Sequence, residues 1–185
     1  MKEKSEANIN SPEYEKKDLT QVELEELLNK VEEAKNNAPN EEEFFRAENE
    51  REDAVAEFVR GEKSLQWLNE QIDSIVPGEV EIPSIDVLER VILGFTKNHE
   101  FAKEQANHEK EHLDAAVKAG LKPILKIRFL RKKDGKISFF PSVSMDIPKV
   151  GDENEIRMGI IKSTEEVTEL SPSDQEAISK YKDKN

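Results

Sequence analysis

The sequence of 185 residues contains no cysteine, and this absence excludes several kinds of chemistry. Without thiols there is no disulfide framework, no thiolate zinc site and no cysteine nucleophile. The first residues also lack an apolar signal-peptide core, and no stretch approaches the roughly 20 apolar residues that a membrane span needs. We therefore expect a cytoplasmic protein that has no membrane partner.

Glycine and histidine are also scarce, with 7 and 3 residues. The few glycines do not form a phosphate-binding loop, which excludes the nucleotide sites built on such loops. Charged residues, in contrast, make up 37% of the chain, and hydrophobic residues make up only 35%. This apolar content is low for a compact protein of this length, so we expect part of the chain to be solvated helix or tail.

Acidic residues are concentrated in the N-terminal part of the chain. Residues 1–83 carry 23 acidic and 10 basic side chains, and the other residues carry 18 of each, since the totals are 41 and 28. The first part therefore accounts for the whole net charge of −13. Such a surface repels phosphate groups, so we do not expect nucleic acid to bind there.

The N-terminal part divides into a tail and a helical arm. Residues 1–19 are polar and unpatterned, which predicts a disordered tail. Residues 20–76 repeat apolar side chains at spacings of three, four and seven, which predicts an acidic helical arm. Its first helix begins with a capping box formed by Thr20 and Glu23, and the long periodic segment that follows is either one helix or two helices joined at Gly61.

Residues 84–185 are predicted to form a small α+β domain. A long helix over 85–119 is followed by Gly120, which suits the left-handed conformation found at helix ends. Apolar residues then alternate with polar ones around an Asp-Gly turn signal, and together these features predict a hairpin over 123–147.

A third strand over 155–162 and a last helix over 172–181 complete the predicted domain. The strand is predicted from isoleucine and methionine at alternate positions, and the helix from its start at Ser171-Pro172. The whole chain is therefore predicted to be α+β. Long acidic amphipathic helices precede a helix, a small antiparallel sheet made of the hairpin and the third strand, and a short C-terminal helix.

The one arrangement typical of catalysis is the run His108-Glu109-Lys110-Glu111-His112, an HExxH motif. Histidines four apart lie on the same side of a helix and can bind Zn²⁺, while the glutamate between them acts as a general base on a bound water. These residues resemble the signature of zincin-type metallopeptidases. The resemblance implies that His108 and His112 are metal ligands and that Glu109 is catalytic.

The same segment is also compatible with a solvated helix face. Zincins usually carry uncharged residues at the positions of Lys110 and Glu111. On one straight helix the apolar stripe lies within about 40° of Glu109 but about 100° from His112 and about 140° from His108, so His108 is expected to face solvent. No motif selects a third ligand from the later acids, which include Glu165, Glu166 and Asp174.

Two further resemblances concern this region. The pair Glu109-x-x-His112 has the spacing that ferritin-like di-metal bundles use, in which case a second copy of the chain would have to provide the other half of the site. The wider segment from Leu88 to about Tyr181 resembles small uncharacterised proteins of candidate-phylum bacteria, and this resemblance implies no function. The motif therefore allows a zinc site, a di-metal site or an ordinary helix surface.

The predicted hairpin carries a run of cations between Lys122 and Lys136, which are interleaved with Phe129 and followed by Phe139 and Phe140. This composition suits a strand surface that binds single-stranded RNA. It also suits a half-buried hairpin whose edge lysines prevent unwanted strand pairing, or a basic strip that the acidic arm folds back on and neutralises.

Our main hypothesis is a non-enzymatic protein-interaction or scaffold protein. The apolar stripes of the arm must pack on each other, on the C-terminal domain or on a partner, which would be another protein or a second copy of the chain. No cofactor is expected under this hypothesis. The first alternative is a zinc-dependent, metallopeptidase-like hydrolase that uses His108, Glu109 and His112, and the second is a nucleic-acid-binding hairpin module.

Overall fold

The fold belongs to the α+β class, as the sequence predicts. The computed structural model describes residues 19–72, 77–168 and 170–182. Within these ranges the chain forms seven helices and one three-stranded antiparallel sheet. In chain order the elements are α1 (Gln21–Asn36), α2 (Glu41–Val59), α3 (Leu65–Ile72), β1 (Glu79–Glu81), α4 (Ile85–Thr96), α5 (His99–Lys118), β2 (Lys122–Arg131), β3 (Ile137–Asp146), α6 (Glu153–Glu165) and α7 (Pro172–Lys182). The predicted tail, apart from Leu19, and residues 73–76 of the predicted arm lie outside the described residues.

The first two helices begin at polar caps. The Thr20 hydroxyl accepts a hydrogen bond from Glu23 N–H, and the Glu23 carboxylate accepts one from Thr20 N–H, which confirms the capping box. Asn40 caps α2 by accepting a hydrogen bond from Glu43 N–H at 2.9 Å. After α2 the chain turns at Gly61, which has a positive φ of 78°, and α3 follows as a separate helix. The long periodic segment is therefore two helices.

The prediction of one helix over 85–119 is wrong in one respect, because the segment forms two helices. Lys97 adopts a left-handed conformation between α4 and α5, with a φ of 55°. The Thr96 hydroxyl bonds to the backbone of the preceding turn and accepts a hydrogen bond from Asn98 N–H at 3.3 Å, which competes with regular helix bonding at the break. Asn98 then caps α5. The predicted end at Gly120 is confirmed, with a φ of 80°.

The hairpin predicted over 123–147 is confirmed. β2 and β3 pair antiparallel along their whole length, with Leu125 opposite Val143. Gly135 adopts a positive φ of 82° in the turn between them, as the Asp-Gly signal predicts. β1 pairs antiparallel with the other side of β2, so the strand order is β1-β2-β3. The third strand therefore precedes the hairpin in the chain.

The strand predicted over 155–162 is wrong, since these residues lie in α6. Asp152 caps this helix by accepting hydrogen bonds from two backbone N–H groups of its first turn, at 2.8 and 3.1 Å. Ile156 and Ile160 are buried one helical turn apart, whereas Met158 between them is 51% exposed. Apolar residues at every second position also satisfy the i, i+4 spacing of a helix, and the Asp152 cap favours the helix.

Two hydrophobic cores connect the elements. The first lies between α1, the sheet, α4 and α5 and contains Ile92 and Phe129, neither of them more than 1% exposed. The second lies between α2, α3 and α6 and contains Phe58 and Leu68, both at 0%. The described helices of the arm therefore pack on the sheet and on the C-terminal helices of the same chain. None of the described helices is both long and apolar enough to cross a membrane.

Candidate metal centre

The two histidines of the HExxH run converge on a carboxylate of α7. His112 Nε2 lies 3.5 Å from Asp174 Oδ2, and His108 Nε2 lies 3.9 Å from the same oxygen. The centroids of the two imidazole rings are 4.9 Å apart. One ligand atom from each of the three residues lies within 4.8 Å of the others. Two imidazoles and one carboxylate therefore surround a common point.

The orientation of His108 differs from the expectation for a straight helix. Its side chain is 27% exposed and turned toward α7, so the prediction that it faces solvent is wrong. The buried stripe of α5, with Ala102, Ala106 and Leu113, does lie on another side of the helix, but the prediction assumed that the side of His108 is open to solvent. Instead, α7 covers this side of α5, and no local pattern in the sequence reveals where α7 packs.

Asp174 is held in place by the start of α7. The Ser171 hydroxyl and Ser171 N–H both donate to Asp174 Oδ2, at 2.6 and 2.8 Å. In return, Asp174 N–H donates to the Ser171 hydroxyl oxygen at 3.2 Å. Pro172 occupies the first helical position, where its fixed φ suits the helix. These reciprocal bonds fix the carboxylate before any metal binds, and they confirm the helix predicted from this start.

The spacing of the three ligand atoms suits a zinc site after small side-chain rotations. Zinc bonds of about 2.0–2.1 Å place tetrahedral ligand atoms about 3.3 Å apart. Three protein ligands leave the fourth position for water or substrate, which is the arrangement of catalytic rather than structural zinc sites. The other two acids considered from the sequence have different partners, because Glu165 pairs with Lys182 and Glu166 pairs with Lys118.

Glu109 is the buried acid of the site. Its exposure of 5% agrees with the expectation that it lies nearest the apolar side of its helix. Burial raises its pKa to about 7, and the charge of Asp174 adds to this increase. The charges of His112 and Arg128 and a hydrogen bond from Val143 N–H act in the opposite direction. Near neutral pH the carboxylate can therefore accept and release a proton, as a general base must.

His112 and Asp174 stabilise each other's charged forms. Burial lowers the pKa of His112, but the contact with Asp174 and the charges of Glu109 and Glu111 outweigh it and raise that pKa. Burial raises the pKa of Asp174, but the contact with His112 and the hydrogen bonds from Ser171 lower it to about 2. A metal that binds here must displace the proton of His112, as metals do whenever they bind imidazole.

All four residues line a cleft of about 550 Å³. Residues of α2 and β3 also line the cleft, where the ring centroids of Phe45 and Phe140 lie 5.4 and 5.6 Å from that of Phe44. Phe45 and Phe140 are 52% and 38% exposed. Ligand pockets commonly have volumes of about 300–1,000 Å³ and apolar walls. The cleft is therefore large enough for a short peptide segment or a ligand of similar size.

The basic hairpin is partly neutralised inside the protein. Arg128 forms an ion pair with Glu48 of α2, and both side chains are mostly buried. Lys126 lies 3.0 Å from Glu79 of β1, again with both groups mostly buried. The pair of Arg128 and Glu48 is what the hypothesis of an acidic arm folding back on the strip predicts.

Asp174 is one of the three later acids considered as a third ligand, but no sequence motif distinguishes it from the other two. Its position in the Ser171-Pro172-Ser173-Asp174 start marks it as a carboxylate with a defined rotamer. That local signal fixes Asp174 within α7, but it carries no information about which element α7 faces. Asp174 could therefore be recognised as the candidate third ligand only after the helices were packed.

Comparison with known proteins identifies no relative. No family model, no curated protein and no solved structure matches the chain. The resemblance to zincin-type metallopeptidases therefore stays a prediction, which depends on the HExxH run and on the geometry of the three ligands.

Proposed function

We propose that the protein binds a divalent transition metal, zinc in the first place, and uses it to hydrolyse a peptide-like substrate. The observation that carries this proposal is the convergence of His108, His112 and Asp174 on one point at the wall of a cleft. A hydrolytic zinc site needs three protein ligands, an open fourth position and a general base. These three residues together with Glu109 are suited to those roles.

Each residue has a separate role in this proposal. His108 and His112 provide neutral imidazole nitrogens, and Asp174 provides a carboxylate oxygen. A zinc ion held by these three residues would supply a water of lowered pKa and a Lewis acid for the substrate carbonyl. Glu109 accepts the proton of the attacking water and delivers it to the leaving nitrogen. The hydroxyl thus goes to the carbonyl carbon, the proton goes to the amine, and the C–N bond breaks.

The walls of the cleft favour a neutral, peptide-like substrate over an anionic one. Arg128 is the cation among the described lining residues, and it already pairs with Glu48. Other lining residues such as Glu52 and Glu176 are acidic and would repel a phosphate. The exposed rings of Phe45 and Phe140 instead offer an apolar surface in the same cleft as the proposed ligands.

Zinc titration of metal-free protein without an affinity tag tests the metal site. We expect one zinc ion per chain, with the dissociation constant raised roughly a hundredfold or more by His112→Gln, because removing a ligand costs at least as much as removing a residue that supports one. His99→Gln is the matched control, since His99 lies at the start of the same helix and does not line the cleft. A parent protein that binds no zinc would contradict the proposal.

The variant Glu109→Gln tests the catalytic part separately. Gln keeps the size of the side chain but removes the base, so we expect zinc to bind as before while the zinc-loaded protein loses hydrolysis of a fluorogenic peptide set. Glu104→Gln, on an exposed position of the same helix, should leave both properties unchanged. Tight zinc binding by a parent protein that cleaves no peptide would retain the metal site and remove the hydrolase.

The interaction-scaffold hypothesis stays a prediction. It depended on apolar stripes of the arm that need a surface, and the described stripes pack in the two cores. Exposed apolar residues remain at Val22 and Leu28 of α1, which are 65% and 46% exposed. A protein partner or a second copy of the chain would be sought at this face of α1.

A further inference from the structure

The helix that carries Asp174 is attached to the protein through several polar contacts and through the packing of Tyr181. None of the residues Pro172–Lys182 of α7 is fully buried. Tyr181 is half-buried against the second core, and it lies in the last turn of the helix. Asp174, in contrast, lies in the first turn. The position of Asp174 relative to α5 therefore depends on how the rest of α7 is held.

Lys180 is the main polar attachment of α7 to α2. Its Nζ lies 3.0 Å from Glu52 Oε2 and 3.0 Å from Asp53 Oδ1. The carbonyl oxygen of Lys180 also accepts a hydrogen bond from Arg60 Nη1 at 2.7 Å. Two carboxylates and one guanidinium of the same segment thus hold one residue of α7, and the lysine side chain is only 22% exposed.

The segment that leads into α7 is also attached to the protein, in this case to α5. Thr168 N–H, just before α7, donates to Glu111 Oε2 of α5 at 3.0 Å. This bond limits the travel of the chain as it enters α7, but one attachment leaves a helix free to swing. At the far end of α7, Tyr181 packs against the second core, and Lys180, about 9 Å further along the helix axis than Asp174, adds ion pairs that limit this freedom.

The acids that pair with Lys180 lie on a well-packed part of α2. α2 contributes Ala54 and Phe58 to the second core, with exposures of 5% and 0%. The acids at 52 and 53 directly precede Ala54, so their backbone is fixed by that packing. A contact with these acids therefore fixes α7 to the protein core rather than to a mobile surface.

We infer that Lys180 is a positioning residue for the third metal ligand, an inference that rests on the proposed metal site. Its ion pairs with Glu52 and Asp53 hold α7 in the position where the Asp174 carboxylate meets His108 and His112. Without these pairs α7 samples more positions. Part of the free energy of metal binding is then lost in ordering the helix, so zinc binds more weakly. Lys180 acts through Asp174 and touches neither the metal nor the substrate.

The dissociation constant for zinc measures this role directly. We expect Lys180→Met, which keeps the alkyl chain and removes the charge, to raise it roughly tenfold, the lower end of what loss of a ligand-orienting partner costs. Lys182→Met is the matched control on the same helix, because Lys182 pairs only with Glu165 among the ion pairs described and is 65% exposed. We expect the control to bind zinc within about twofold of the parent.

A double-mutant cycle distinguishes positioning from general destabilisation. If Lys180 acts through Asp174, then Lys180→Met should have no further effect on zinc affinity in an Asp174→Asn background. The double variant Glu52→Gln with Asp53→Asn should reproduce the loss from the side of α2. The absorption bands of bound Co²⁺ should shift in Lys180→Met toward those of Asp174→Asn, a change that a uniformly less stable protein would not show.

The outcomes separate this inference from the proposed function. Zinc affinity unchanged in Lys180→Met, or equal and additive losses in both backgrounds, would overturn the positioning role and leave the metal site in place. A parent protein that binds no zinc or Co²⁺ would overturn both. Circular dichroism of each variant shows whether the fold is retained, and the α2 double variant decides the question if Lys180→Met fails to fold.

Discussion

The candidate metal centre and the basic hairpin both gather ionisable side chains, but they arrange them differently. In the hairpin each buried cation meets an acid, as Arg128 meets Glu48. In the metal centre two imidazoles share one carboxylate oxygen, at 3.5 and 3.9 Å. The first arrangement pairs opposite charges within the protein, whereas the second brings three potential ligand atoms within 4.8 Å of one another. Convergence of potential ligand atoms, rather than density of charge, is therefore what singles out the histidine-containing cluster as a candidate metal centre.

The largest expected effect concerns zinc and the two histidines. If zinc is present at 100 to 1,000 times its dissociation constant, binding should stabilise the parent protein by about 3–4 kcal/mol. The double variant His108→Gln with His112→Gln should lose this stabilisation, because it loses two ligands. Thermal unfolding with and without zinc measures the difference. A variant that zinc stabilises as much as the parent would place the metal elsewhere.

The next effect concerns the pH dependence that burial of Glu109 should create in metal-free protein. Its folded pKa of about 7 lies above the ordinary value of 4.5, so the folded state holds more protons between these values. Stability is then greatest below pH 4.5 with respect to this group and is lost as the pH rises through 7, by about 3 kcal/mol at most. Of the groups facing Glu109, Asp174 acts in the same direction and His112 and Arg128 act against it.

Glu109→Gln should remove most of this loss between pH 5 and pH 8. The variant Glu104→Gln, at an exposed position of α5, should retain it. Urea unfolding at both pH values in the presence of a chelator gives the two free energies. A parent protein that is equally stable at both would show that Glu109 ionises as an ordinary glutamate.

A smaller effect is expected from breaking the buried pair in the hairpin. Arg128→Met leaves the Glu48 carboxylate without its cation in a mostly buried position, which should lower the free energy of unfolding by about 2 kcal/mol after allowance for partial exposure. The double variant Arg128→Met with Glu48→Gln should recover part of the loss. Equal stability of the parent and Arg128→Met would mean that solvent screens this pair as it would an exposed one.

The smallest expected effect is on nucleic acid. We expect no measurable binding of single-stranded RNA at physiological salt, since Lys126 and Arg128 are already paired with acids. Lys132→Ala should then change nothing in a fluorescence anisotropy titration. Micromolar binding that weakens steeply with salt would instead favour the nucleic-acid hypothesis.

Local signals predicted most of the elements, and failures occurred where two periods fit the same residues. The capping box at Thr20, the turn at Gly135 and the helix end at Gly120 each depend on a few neighbouring residues, and each is present. The alternation around Met158 fits a strand and a helix equally well, so the wrong period was predicted there. The break at Lys97 was missed because lysine is not a residue that marks a left-handed turn.

By itself the sequence determined the class of the fold, the spacing of the two histidines and the burial of Glu109, because each depends on periodicity within one element. Only the tertiary structure decided that Asp174 meets the two histidines and so becomes the candidate third ligand. Asp174 and His112 lie on different helices, and their meeting depends on how α7 packs against α2 and α5. Such packing is set by contacts between residues far apart in the chain, which no local pattern encodes.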